Sequence, residues 1–235
     1  PVYRLTLTNV VAAPTATPTA TATPTATAPA TETASGAPSP TPTAGGTCAA
    51  APRSGCRRAA QAVLQVVDGA LDGKDRLLFR WQKGEATDAT AFGDPRAATE
   101  TALCVYDGGG LRLAAVVPAD AVRWRAAGSA AALKGFDFAD RSASSHGITL
   151  VKLRAGGPGK SQMLVKGRGA GLGLPGPAGD QTYFDGTPIT AQVVNDASEC
   201  WSVSFAGPGQ QNAGAAARQP QYKAQCKENR TPCAP

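Results

Sequence analysis

Six cysteines, one histidine and a run of aspartates are the residues of this chain with the most chemistry open to them. The cysteines are Cys48, Cys56, Cys104, Cys200, Cys226 and Cys233. They do not read as a zinc site: the sequence has no CxxC, and His146, the sole histidine, is remote from every cysteine. An even number of cysteines beside a Thr/Pro-rich stretch reads instead as disulfides in an oxidising compartment. Spacing makes local Cys48–Cys56 and Cys226–Cys233 pairs, with Cys104–Cys200 across the core, the most economical connectivity.

The other reactive groupings do not assemble a catalyst. Ser144, Ser145 and His146 are consecutive, but a Ser–His pair needs the base held at the nucleophile and oriented by a third group, which neighbours in a turn do not achieve. The run ending Gly159-Lys160-Ser161 looks like a phosphate loop. GxxxxGK requires glycine at 154, where Arg154 stands, and a strand rather than a helix follows. Gly171, Gly173 and Gly176 match GxGxxG, yet Pro175 and Pro177 interrupt the motif. Asp68, Asp72, Asp75, Asp94, Asp107, Asp137 and Asp140 fall near strand ends. Loop carboxylates can hold Ca²⁺, the one cofactor the sequence leaves open, but there is no DxDxDG loop. The expectation is a protein that is not an enzyme and needs no cofactor.

Trp81, Trp124 and Trp201, with Tyr106 and Tyr183, form a possible sugar-stacking set. Trp81 and Trp201 follow the apolar alternation of their segments and belong to a core. Trp124, between Arg123 and Arg125, is the candidate for a ligand face. The net charge is +6, but lysine and arginine are scattered, with Arg57-Arg58 the densest group. That reads as a modestly basic surface; an acidic glycan or cell surface is the functional alternative, and nucleic acid is not expected.

Three segments must position these residues. Residues 14–46 are almost wholly Thr, Ala and Pro, with Glu32 the only charge. Such a composition cannot bury enough apolar surface to order itself into a core and favours an extended polyproline spacer. Thr15, Thr17, Thr19, Thr21, Thr23, Thr25 and Thr27 are O-glycan candidates. Residues 1–13 alternate: Tyr3, Leu5 and Leu7 share one face and Arg4, Thr6 and Thr8 the other. This strand is expected to belong to an upstream domain, to return to its own domain's edge, or to be donated to another copy, linking subunits into a filament. No apolar run approaches the ~20 residues needed to span a membrane.

Residues 47–235 hold short alternating runs separated by Gly/Pro turns and no amphipathic helix. The pattern predicts an all-β antiparallel sandwich, jelly-roll-like, pinned by disulfides. Inward positions include Leu77, Phe79, Trp81, Leu103, Val105, Leu113, Val151, Leu153, Val193, Val203 and Phe205. The tail after Gly207 reads as polar loop.

Leu78-Phe79-Arg80-Trp81-Gln82-Lys83-Gly84, Phe92-Gly93-Asp94-Pro95, Ala102-Leu103-Cys104-Val105-Tyr106-Asp107 and Gly135-Phe136-Asp137-Phe138-Ala139-Asp140 follow one another. Together with Leu164-Val165-Lys166-Gly167-Arg168-Gly169 and Ala191-Gln192-Val193-Val194-Asn195, this order resembles an uncharacterised domain of large secreted proteins from environmental bacteria. That domain often sits beside Pro/Thr-rich linkers. The resemblance implies a secreted β-domain and brings no catalytic residue. The reading is thus a non-enzymatic extracellular or cell-surface protein, structural or adhesive; the alternative is a carbohydrate-binding module of a larger secreted protein.

Overall fold

The computed structural model describes residues 47–207, 209–227 and 233. The strand expected over residues 1–13 and the spacer over 14–46, with their strand-donation and O-glycan candidates, lie outside the described residues.

Twelve strands make one curled, mixed sheet. They are β1 (Arg57–Val67), β2 (Arg76–Gly84), β3 (Thr101–Asp107), β4 (Gly110–Val117), β5 (Trp124–Ser129) and β6 (Ala132–Ala139). The chain continues with β7 (Ile148–Arg154), β8 (Ser161–Arg168), β9 (Ile189–Asn195), β10 (Cys200–Phe205), β11 (Gln211–Ala213) and β12 (Gln221–Lys227). The main path runs β4-β3-β9-β10-β1-β2-β8-β7-β6-β5, and β12 joins β1 to β11. Three short 3-10 turns, Asp72–Lys74, Ala89–Phe92 and Ala170–Leu172, are the helical pieces among the described residues. The all-β expectation is met.

The sheet is continuous because β1 changes partner. Its first residues, Arg57 and Arg58, pair in parallel with Trp201 and Ser202 of β10. From Gln61 onward the same edge pairs antiparallel with β12, while the other edge pairs with β2. The strand is long enough for both tasks, since the polar Arg-Arg start and the apolar Ala62–Val67 end form one run.

Alternation places the apolar side chains inward. Leu64, Val66, Leu77, Phe79, Trp81, Phe136, Phe138, Val151, Leu153 and Val165 from one half meet Leu103, Val105, Leu113, Val193, Trp201, Val203 and Phe205 from the other in one buried cluster. Each buried leucine, valine or phenylalanine of this kind contributes about 1.5–3 kcal/mol. The indoles stitch the halves: Trp81 donates from Nε1 to the Ser202 carbonyl at 3.1 Å, and Trp201 to Thr87 Oγ1 at 3.2 Å. Gly84 is bare because the Trp81 ring lies where its Cβ would be, 1.8 Å away. A bulge in the β3–β4 pairing skips Arg112, so Leu111 turns to the face opposite Leu113 rather than sharing it.

The tail departs from its expected loop. Gln221–Lys227 is a strand that buries Tyr222, Ala224 and Cys226 and exposes Gln225 and Lys227. Two of its three inward residues are small, which hid the alternation. The long Gly/Pro loop before β9 covers this end with Tyr183 and Phe184; Phe184 meets Tyr222 edge-on at 4.9 Å. Asn212 fixes the loop by accepting from the Tyr183 and Phe184 N–H groups and donating to the Phe184 carbonyl.

The disulfides are Cys48–Cys104, Cys56–Cys200 and Cys226–Cys233. The local C-terminal pair is as expected; the other two correct the sequence reading. Cys104 and Cys200 both lie opposite residues of β9, Gln192 and Val194, from its two sides. With a strand between them they stand two strand spacings apart, roughly 9–10 Å across the sheet, and two residues out of register along β9 as well, beyond the ~7 Å limit for a bridge. Residues 47–56 instead form a strap across β3, β9 and β10, with a cysteine at each end reaching down. Gln192 grips its middle, accepting from the Arg53 N–H at 2.9 Å and donating to the Arg53 carbonyl at 2.8 Å. The strap explains why β3 and β9 are buried on both faces.

Cys56–Cys200 closes a 144-residue separation and Cys226–Cys233 one of 7. Loop-closure entropy therefore makes the first the larger contributor. A Cys56→Ser/Cys200→Ser double variant is expected to lose about 2–4 kcal/mol in urea unfolding, and Cys226→Ser/Cys233→Ser clearly less; equal losses would contradict the strap as a global staple.

Candidate functional site

The outer face of the β12-β1-β2-β8-β7-β6-β5 half collects the positive charge that the sequence scatters. Residues directly opposite on neighbouring strands share a face. One row crosses seven strands through the pairs Gln225–Val63, Val63–Arg80, Arg80–Leu164, Leu164–Lys152, Lys152–Asp137 and Asp137–Arg125. The row beside it runs Lys223–Gln65–Leu78–Lys166–Leu150–Ala139. Arg76 faces Arg168 at one margin, and Lys227 faces Gln61 on the other side of the central row.

Arg76, Arg80, Arg125, Lys152, Lys166, Arg168 and Lys227 are exposed, while Val63, Leu78, Leu150 and Leu164 between them are half-buried. Asp137 is the one acid in these rows, and it forms a two-oxygen pair with the Arg154 guanidinium at 2.7 and 2.9 Å.

Two depressions lie on this face. One, of about 220 Å³, is lined by Arg80, Gln82, Lys152, Arg154, Gln162, Met163 and Leu164. The other, of about 650 Å³, lies between Gln65, Leu78, Thr149, Lys166, Arg76 and Arg168, with Asp75 and the Asp72–Lys74 turn at its end. Burial, followed by repulsion from Asp68 and Asp72, raises the Asp75 carboxyl above its usual range, against a hydrogen bond from the Gly69 N–H.

On the opposite half Ala102, Cys104, Tyr106, Val194 and Cys200 pack under the strap with Cys48, and a polar depression of about 340 Å³ beside the strap is lined by Arg53, Arg58, Thr190, Gln192, Ser202 and Ser204.

The sequence-derived candidates fall elsewhere. Trp124 is not on a ligand face: it is 1 % exposed, donates from Nε1 to the Pro118 carbonyl at 3.1 Å and packs on Phe138 at 5.2 Å. Arg125 points outward because the strand alternates, which turns the indole in, while Arg123 belongs to the turn before β5 and pairs with Asp120 and Asp140. His146 stands on an exposed turn with φ of 43°, and its Nδ1 accepts from the Val116 N–H at 2.9 Å. Ser144 Oγ is committed to Asp140 instead. The Gly156–Gly159 run is the β7–β8 turn, bridged at Gly156 to Thr87. No group of three or more His, Cys, Asp or Glu placed for a metal ion occurs among the described residues.

Asp140 organises the turn after β6. Burial works against its ionisation, but the N–H and hydroxyl groups of Ser142 and Ser144 all donate to its carboxylate and hold its pKa far below the usual range.

The basic residues went unrecognised because no segment is itself basic. Arg80 and Gln82 do alternate with Leu77, Phe79 and Trp81 in the sequence, which marks them as outward; only strand order and register bring Lys152 and Lys166 beside them. Comparison with known proteins gave no match to a family model, to a curated protein or to a solved structure.

Trp124→Ala is expected to cost about 3–5 kcal/mol of stability by cavity formation, read by chemical denaturation; a cost below about 1 kcal/mol would return the indole to the surface. Asp140→Asn is expected to lose about 1–3 kcal/mol at pH 7. A carboxylate with a depressed folded pKa stabilises above its unfolded pKa, and that contribution fades as pH falls. The gap between wild type and Asp140→Asn should therefore narrow below about pH 4, and a gap constant with pH would assign the loss to packing.

Proposed function

We propose that this chain is a secreted, non-enzymatic adhesive domain that holds a polyanionic surface through its basic sheet face. One observation carries the reading: cations scattered through β2, β5, β7, β8 and β12 converge on one broad face with a single acid in its central rows. Like charges gathered on one surface repel one another, a cost that a polyanion relieves by binding.

The three disulfides support an oxidising environment, and no helix among the described residues is long and apolar enough to cross a membrane. In this reading the halves of the curled sheet act as the two layers of a sandwich. The strap covers one outer face, the other is free for a partner, and the Thr/Pro tract displays the domain.

Retention on beads coated with an anionic polymer tests it. Wild type is expected to bind at about 50 mM salt and to release as salt rises. For every two anionic groups that the face neutralises, a fourfold rise in salt should weaken binding on the order of tenfold. Arg80→Glu/Lys152→Glu should weaken retention at least about tenfold. Retention that ignores both salt and this charge reversal would defeat the proposal.

A further inference from the structure

Resting on that reading, we propose that the basic face binds a linear polyuronate laid across the strands, one sugar unit to each strand. The geometry of the two rows supplies the reason. Neighbouring strands lie about 4.8 Å apart, close to the advance of an extended chain of pyranose units per sugar. A polymer running along a row therefore meets one side chain of the row for each sugar.

The order of side chains in the rows matches the alternation of such a polymer. In the central row Arg80 and Lys152 are both opposite Leu164, so the cations stand two strands apart with an apolar residue between. In the next row the phase reverses: Lys166 lies between Leu78 and Leu150. An extended ribbon of uronic acids turns successive sugars to opposite sides and so directs a carboxylate to a given side at every second unit. In the central row Arg80, Lys152 and Arg125, each two strands from the next, receive those carboxylates, while Asp137 between the last two is neutralised by Arg154. The half-buried leucines between them receive the C–H edges of the intervening sugars.

Side-chain chemistry narrows the class further. The guanidinium fork of Arg80 suits a planar carboxylate. Gln82 and Gln162 line the same 220 Å³ depression as Arg80 and Lys152, and their amides both donate and accept, as sugar hydroxyls require. Every described Trp, Tyr and Phe is buried. The face thus lacks the aromatic platform on which single-stranded nucleic acids stack and on which a neutral sugar ring would rest. Charge, amide and small apolar contacts remain, and together they describe an acidic polysaccharide.

The test is a titration of the full chain with oligogalacturonates of graded length, beside heparin, dextran and duplex DNA. Affinity is expected to rise with length up to roughly seven sugars, one for each strand of the central row, and then level off. Arg80→Ala or Lys152→Ala should weaken oligogalacturonate binding about tenfold, with Arg80→Lys recovering part of the loss. Gln82→Ala/Gln162→Ala should weaken oligogalacturonate but leave heparin unchanged, which a purely electrostatic face would not do. Near-UV circular dichroism of the buried tryptophans verifies that each variant is folded.

If heparin or duplex DNA binds as tightly as the uronate chain, or if length beyond two sugars has no effect, the polyuronate inference is overturned while the polyanion reading stands. Dextran binding indifferent to Arg80 and Lys152 overturns the inference as well. If none of the three polyanions binds, both fall.

Discussion

The structure depends on the change of partner along β1. Its parallel pairing with β10 at Arg57 and Arg58 gives way to an antiparallel ladder with β12 from Gln61 to Val67. A strand that ended at Ala60 would keep only the Ala59–Gly84 pair with β2 and none with β12, and the core would lose most of its continuous backbone frame. Cys56 lies one residue before this strand and is bonded to Cys200, the first residue of β10. The parallel start is only two residue pairs long, too few to hold by hydrogen bonds alone; the disulfide fixes its register. Trp81 and Trp201 then reach across from opposite halves and fill the space that the divergence opens.

The two outer faces show how one sheet serves two ends. Over β3, β9 and β10 the outward residues Ala102, Cys104, Val194 and Cys200 complete a second small core with the strap, and Thr190, Gln192, Ser202 and Ser204 beside them are tied to one another and to the strap by hydrogen bonds. Over β2, β8 and β7 the outward residues are long and mostly basic, with aliphatic spacing between charges. A long charged side chain covers apolar neighbours with its stem while its head stays in water. That allows Leu78 and Leu164 to remain half-buried on a face that repels a second copy of itself.

Much of the fold was legible because apolar alternation is strong where both bulk and branching are present. The inward sets Leu77, Phe79, Trp81 and Trp201, Val203, Phe205 were read correctly. Where the inward residue is alanine the signal fades, as in β12. Where the flanking residues are charged it misleads, as with Trp124 between two arginines. Disulfide pairing and the charged face were not legible for a shared reason. Both are properties of strand order: Cys104 and Cys200 are kept apart by β9, and Arg80 and Lys152 are brought near by β8, though neither intervening strand is adjacent in sequence to all it separates or joins.

The strap has a mechanical consequence when the domain is pulled through the segment that precedes it. Tension entering from residue 46 reaches Cys48 within two residues, and from there a covalent bond carries it to Cys104 in the interior of the sheet. Whatever load remains is passed at Cys56 to Cys200. Peeling from this end would have to begin by breaking sulfur–sulfur bonds rather than by opening hydrogen bonds one at a time. A pull from the N-terminal side is therefore spread over β3 and β10 together, and the face that carries the charge sits on strands outside that line of force.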